Sequence, residues 1–426
     1  MERYEYLTIV VIAVLAVLSG AYTTTKPVMD FLITNGIDAA HTAIYMGWIT
    51  WWALVLGFSI AGAVEAWIPK SKISEKLEDE GLKSLGLATF FGFVSSSCSY
   101  SAIATAKNLF KKGASAGSSL GAFMFASTNL VIEIGVVIYI LLGWQFLVAD
   151  FIGGLALICL MAVGFRYLVP DEVIEKAREN AGSGAEKVTD PVCGMDVDPE
   201  ETEYSEEIDG EKFYFCSKSC KESFDPKDVN VGFWENLTSL KGWKKLADKQ
   251  WKEWGMLYED IIIGFVLAGI IGAFVPQSVW TSLLGGQILG LPAFIFWSAI
   301  VGTVIGIATF VCSVGNVPFG AVLWSKGFPF GSVLSYIYAD LIVPPIMDAY
   351  REYYGKKFAA ILSAMIFAAA VIVGVLVHFL FLNTGFLPDP ATAKIVEENI
   401  EWNYKAWLNI IFTAAFLGLY HLHRQN

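Results

Sequence analysis

Apolar and polar positions are distributed unevenly along the chain. Long apolar runs at Tyr6–Tyr22, Thr42–Ile68, Gln145–Leu168, Tyr258–Val275, Pro292–Val311, Phe358–Leu382 and Ala406–Tyr420 alternate with short polar stretches. A bilayer core takes roughly 20 apolar residues as a helix, so each run predicts a membrane-crossing helix. Two further regions, Gly81–Gly143 and Val311–Tyr350, are apolar but interrupted by Gly, Ser, Pro and a few Lys. In lipid every backbone N–H and C=O needs an internal partner, so helices break only where protein or a water-filled cavity takes over those bonds. The pattern predicts an all-α polytopic membrane protein with its functional part in the two interrupted regions.

One stretch departs from this pattern. From about Pro170 to Trp254 the chain is polar enough to form a soluble module. The expected organisation is a first transmembrane half (1–169, with an extra N-terminal helix) and a charged helix with a linker (170–185). A small α+β module follows (186–230), then a Trp/Lys-rich amphipathic helix in the headgroup region (231–255) and a second transmembrane half (256–426).

The two membrane halves repeat one another. Gly57-Phe-Ser-Ile-Ala-Gly-Ala-Val-Glu-Ala-Trp-Ile-Pro69 is matched by Gly264-Phe-Val-Leu-Ala-Gly-Ile-Ile-Gly-Ala-Phe-Val-Pro276. Cys98-Ser99, Lys112-Gly113 and Gly117-Ser118 recur at the same spacing as Cys312-Ser313, Lys326-Gly327 and Gly331-Ser332. Basic residues mark cytoplasmic loops. Lys70, Lys72, Lys76 and Lys83 follow Pro69, whereas no Lys follows Pro276 before Lys326. The copies are therefore expected to cross in opposite senses, with both termini and the central module cytoplasmic and Thr23–His41, Pro276–Gly290 and Asn383–Trp402 outside. Inverted repeats with broken helices point to a transporter whose site lies near the midplane.

Composition narrows the chemistry. The chain of 426 residues is 55% hydrophobic, 16% charged and carries a net charge of −12, which argues against nucleic acid as a partner and for the lipid bilayer as its solvent. Its six cysteines form no disulfide framework. Cys159 reads as a small buried hydrophobe. Cys98, in Val94-Ser-Ser-Ser-Cys-Ser-Tyr-Ser101, and Cys312, in Phe310-Val-Cys-Ser-Val-Gly-Asn-Val-Pro318, stand at helix breaks instead. Thiolates select soft species, with Ser97, Ser99, Ser313 and Asn316 as neighbouring hydrogen-bonding groups. Among charges in apolar surroundings, Glu133 and Asp340 are the deepest and occupy roughly corresponding places. They are candidates for proton coupling or for lining the pathway. Glu65 and Asp150 read as nearer an interface.

The polar module places Cys193, in Asp190-Pro-Val-Cys-Gly-Met195, with Cys216 and Cys220, in Lys212-Phe-Tyr-Phe-Cys-Ser-Lys-Ser-Cys220. A hairpin-like strand pair, aromatic residues and three thiols suit a metal-stapled miniature core, with zinc or another soft metal either completed by Asp190, Glu206 or water or held in a three-thiolate centre. These motifs resemble a YHS domain, a heavy-metal-associated module. The membrane halves, through Cys98-Ser99, Lys112-Gly113 and Gly117, and through Cys312-Ser313, Pro318, Lys326-Gly327 and Gly331, resemble the predicted permease family that includes organoarsenical efflux permeases. That resemblance implies export of trivalent methylated arsenicals by thiol coordination at Cys98 and Cys312.

The expected function is a cell-membrane permease for a small thiophilic solute, methylarsenite above all. Rivals are a copper or mercury transporter, and a membrane metal sensor or assembly factor whose active part is the module. An enzyme is not expected, because the four histidines are scattered and no nucleophile–base pair or phosphate loop occurs. A homo-oligomer is left open.

Overall fold

The computed structural model describes residues 11, 13–21, 27–67, 81–95, 99–182, 188–189, 196–197, 199, 202–208, 211–224, 233–285, 290–309, 313–389 and 402–424. Residues 13–21 are helical. The first half continues with α1 (Val28–Trp67), α2 (Leu82–Ser95), α3 (Ser99–Lys111), α4 (Gly117–Asn129), α5 (Ile132–Leu141) and α6 (Trp144–Leu168). Helix α7 (Asp171–Gly182) leads to strands β1 (Val188–Thr189), β2 (Asp196–Val197), β3 (Ser205–Ile208) and β4 (Glu211–Tyr214), then α8 (Lys218–Ser223) and α9 (Phe233–Thr238). The second half comprises α10 (Leu240–Phe274), α11 (Gln277–Leu283), α12 (Leu291–Thr309), α13 (Ser313–Ser325), α14 (Phe330–Ile342), α15 (Pro344–Tyr354), α16 (Lys356–Thr384) and α17 (Tyr404–His423).

By length and composition, five described helices can cross a membrane, and three bent helix pairs bring the number of candidate spans to eight. Helix α1 is longer than the apolar run predicts. Residues 28–41, expected as loop, are helical, because Asp30, Asn35, Asp38 and His41 do not prevent a helix from projecting beyond the apolar stretch. The Trp/Lys stretch before residue 256 and the apolar stretch after it form one 35-residue helix, α10. Trp254 on this helix lies against Trp51, Phe58 and Phe416, and Trp251 against Phe416 and Tyr420, while Trp243 is exposed.

The repeat seen in the sequence is a repeat of structure. With an offset of 214 residues, α3 superposes in register on α13, and α6 falls within α16. Gly113 and Gly327 both have positive φ, 106° and 92°. Each closes its helix with the same pair of bonds: Gly113 N–H to Phe110 O and Ala114 N–H to Leu109 O, then Gly327 N–H to Trp324 O and Phe328 N–H to Leu323 O. A left-handed turn of this kind favours glycine, which explains the repeated Lys-Gly. The repeated Gly-Ser also has a partner in each half. Ser118 Oγ meets Ser84 Oγ, and Ser332 Oγ donates to Ser298 O, one contact shifted by 214 residues. The α4–α5 and α14–α15 pairs bend by 51° and 45° at like places.

Helices α1 and α10, the first members of the two copies, form the most extensive pairing in the molecule and run antiparallel. Gly62 lies against the backbone of Gln250 near one end of the pair, and Gly269 against that of Ala39 near the other. At Gly269 the partner backbone leaves no room for a β-carbon, and at Gly62 the fit is tight, with Gln250 N 3.0 Å from where one would stand.

The interruptions are hairpins rather than kinks. Helix α6 gives the ruler: Phe146 near its start packs on Trp324 and Phe330, and Phe165 near its end packs on Phe358, which in turn stacks on Phe110. The C-terminal ends of α3 and α13 therefore lie at opposite ends of this 25-residue helix. Arg178 of α7 donates to Phe110 O and Ala114 O, which ties the end of α3 to the end of α6. Leu82, Ser115 and Arg166 line one cavity of about 250 Å³ there, so α2 starts where α3 ends. At the other end Gln277 Nε2 donates to Lys326 O, and Ser332 joins the start of α14 to Ser298 in the first half of α12. Each hairpin thus enters from its own end and turns back.

Candidate functional site

Ser99 opens α3 and Ser313 opens α13, so each stands at a hairpin tip. Their hydroxyls are 3.1 Å apart, and both residues are buried. At 1.5 Å per residue, two 13-residue arms span about 39 Å, close to the roughly 37 Å length of α6, so the tips meet about midway. The contact joins symmetry-related residues, which is what an axis passing between the two copies requires.

The tips are wired to a carboxylate. Ser313 Oγ donates to Asp340 Oδ2, and Asn129 Nδ2 donates to Asp340 Oδ1 at 3.0 Å. Since the Ser313 hydrogen is used on Asp340, Ser99 donates to Ser313, and the order is Ser99, Ser313, Asp340. Asp340 is 1% exposed and lies on the 3₁₀ turn Tyr338–Ile342 that ends α14; Asn129 ends α4. One turn beyond Ser313, Asn316 accepts a hydrogen bond from Tyr336 through Oδ1 at 3.0 Å, while its buried Nδ2 has no partner among the described residues. Asn129 Oδ1 is likewise unpaired.

The structure brings together Ser99, Ser313, Asn316 and Asp340 from the expected set. Ser97, Cys98 and Cys312 lie outside the described residues; Cys98 and Cys312 immediately precede the paired serines in the sequence. Glu133 is buried in the first turn of α5 and its side chain begins where Gly57 of α1 makes its closest approach. It follows the first bend, whereas Asp340 precedes the second, so the two carboxylates do not superpose under the repeat. Cys159 is not buried; it faces the cavity beside Ser118 and Arg166. Asp348 is exposed and pairs with Arg351 at 2.6 Å.

Two residues of the interior were not anticipated. Asn129, the partner of Asp340, has no distinguishing sequence signal beyond its place in an apolar stretch. Asp150, expected near an interface, is 0% exposed and covered by Tyr338, whose hydroxyl donates to the Asp150 carbonyl at 3.1 Å.

The polar module shows the expected hairpin, β3 against β4, and a small aromatic core of Phe213, Phe215 and Phe224. Ser217 caps α8 by accepting from Cys220 N–H, and Lys221 Nζ ties the helix to Ser205 O at 2.7 Å. The cap brings Cys220 Sγ to 3.6 Å from Cys216 Sγ. Cys193 and Asp190 lie outside the described residues, and no group of three or more metal-binding side chains occurs among the described ones.

Comparison with known proteins agrees with a membrane transporter. The description of a predicted permease family matches residues 36–379, which takes in both hairpins and the central module. The Mycobacterium tuberculosis protein named "Putative permease Rv2963" is 38% identical over 356 residues, 83% of this chain and 79% of that protein. No solved structure matches. The chain belongs to the predicted permease family.

Proposed function

We propose that the chain is a cell-membrane permease exporting a soft, thiol-reactive solute, with trivalent monoorganoarsenicals such as methylarsenite as its cargo. The observation that carries this reading is the Ser99–Ser313 contact at 3.1 Å, which sets the residue after each cysteine against its symmetry counterpart. In this reading the halves are inverted repeats, and Cys98 and Cys312 form one midplane site rather than two. The basic loops put both termini and the central module in the cytoplasm.

The chemistry balances with two thiols. Methylarsenite carries one As–C bond and two As–OH bonds. Two S–As bonds form as the two As–OH bonds break, each thiol proton leaves with a hydroxyl, and two waters are released. Release reverses the exchange. The cargo and its bound form are both neutral. The N-terminal ends of α3 and α13, which carry partial positive charge, converge on this site.

In the module, Cys216 and Cys220 suit two ligands of a tetrahedral soft metal. Zn–S bonds of about 2.3 Å place sulfurs about 3.8 Å apart, near the 3.6 Å observed. With Cys193 as third ligand, a YHS-type centre would capture metal or metalloid before transport. Deleting residues 186–230 separates the readings: a permease keeps activity, and a metal sensor keeps none.

The direct test is uptake of methylarsenite into everted membrane vesicles. Replacing both Cys98 and Cys312 by Ser abolishes uptake while the protein stays folded in detergent. Unchanged uptake by the double variant overturns the two-thiol site.

A further inference from the structure

Asp150 is a buried ionisable group that the two-thiol exchange does not use. Asp150 sits six residues into α6, is 0% exposed, and neither of its carboxyl oxygens has a hydrogen-bond partner among the described residues. Asp340, on the facing 3₁₀ turn, has a different environment. One oxygen accepts from Ser313 and the other from Asn129, as an acceptor-only carboxylate requires. Tyr338 stands between them, two residues before Asp340 and bonded through its hydroxyl to the Asp150 backbone. Gly153, one turn along α6, gives that ring its room: a β-carbon there would collide with the Tyr338 hydroxyl.

The charged and titratable groups on the elements packed around Asp150 can be named. Helix α14 contributes Tyr336, Tyr338 and Asp340, α5 contributes Glu133 and Tyr139, and α16 begins with Lys356 and Lys357 at the far end of α6, where Phe358 packs on Phe165. Helix α16 contributes His378, whose Nδ1 accepts from Gly331 N–H at 3.3 Å and so does not serve Asp150 through that atom. On α6 itself the nearest cation is Arg166, four turns away at the helix end. Among the described residues no Lys or Arg forms an ion pair with Asp150. An ionised carboxylate buried without a cation, beside a Tyr338 hydroxyl already engaged by the Asp150 carbonyl, is costly to desolvate, and a second carboxylate nearby adds repulsion. Two acids held in such different surroundings divide into one charged and one neutral member.

We propose that Asp150 is a proton-binding site of the transport cycle: its carboxyl carries a proton in the closed arrangement and releases it to water when the contact of α6 with the Tyr338–Ile342 turn opens. The step is simple ionisation, carboxylic acid to carboxylate plus a proton taken by water. It gives a carrier of neutral cargo a means of using a proton gradient. The proposal rests on the transport reading but not on arsenic as the cargo.

Two measurements on the full chain test it. Infrared spectra of purified wild-type protein at neutral pH should show a protonated-carboxyl C=O band that shifts in D2O and is lost in Asp150→Asn. Absence of such a band from the wild type, or its survival in the variant, overturns the proposal whatever the cargo proves to be. In proteoliposomes enclosing a pH-sensitive dye, methylarsenite flux through the wild type should change the internal pH, and Asp150→Asn should abolish that change. A pH change equal to wild type in the folded variant also overturns it. If the wild type moves no arsenical at all, the cargo assignment fails while the infrared result stands.

Discussion

Hairpin α2–α3 and hairpin α12–α13 share their tip serines, their closing glycines at Gly113 and Gly327, and the serine contacts Ser84–Ser118 and Ser298–Ser332 that anchor them. Their surroundings differ in charge. The position of Asp340 in the second half is Ala126 in the first, and the position of Asp150 in the first half is Ala364 in the second. A repeated scaffold therefore sets like groups, Ser99 and Ser313, against each other, while each carboxyl is supplied once, by one half only. Symmetry suits a site that must face either side of the membrane in turn. A group that binds a coupling ion need not be duplicated, and two such groups facing each other across the axis would repel.

The largest effects should come from breaking the close approaches that hold the hairpins in place. A β-carbon at Gly264 would lie 2.8 Å from Gly315 Cα on α13. Gly264→Leu should displace the second tip and abolish transport, and Gly57→Leu should do the same from the other side by displacing α5 at Glu133. Retained transport in either would show that the tips are not positioned by these contacts.

Asp340→Ala should cost about 1–3 kcal/mol, because it strands the Ser313 hydroxyl and the Asn129 amide in the interior. Thermal unfolding in detergent measures it. Ser313→Ala should cost more than Ser99→Ala, since Ser313 bridges two partners and Ser99 ends the chain; roughly 1 kcal/mol separates one lost bond from two. Equal losses would contradict the order Ser99, Ser313, Asp340.

The smallest effect tests the symmetry alone. Gly113→Ala and Gly327→Ala each put a β-carbon on a left-handed residue with open space around it. Both should destabilise by about 1 kcal/mol, and by like amounts. A large difference would mean that the two turns are not equivalent.

Much of this plan was legible in the sequence because it rests on backbone demands that few residues meet. Gly113 and Gly327 recur because the same left-handed turn closes both hairpin arms, and Cys-Ser recurs because the same tip is built twice. The return direction of the hairpins was not legible, since hydropathy records depth and not direction. Lys107, Lys111 and Lys112 held the missing signal, because a basic end to α3 places it beside the basic end of α6. Asp150 was misjudged for a related reason. Its distance from Trp144 suggests shallow placement, but its burial comes from Tyr338, almost 190 residues away in the chain. Long-range cover of that kind has no local signature.

The central claim is that Cys98 and Cys312 act as one site. X-ray absorption at the arsenic edge tests it most directly, on full-length protein with Cys159, Cys193, Cys216 and Cys220 replaced by Ser and methylarsenite bound. The account predicts two sulfur ligands per arsenic, with stable binding lost when either remaining cysteine is also changed to Ser. A single sulfur per arsenic, or binding that survives loss of one cysteine, would contradict it.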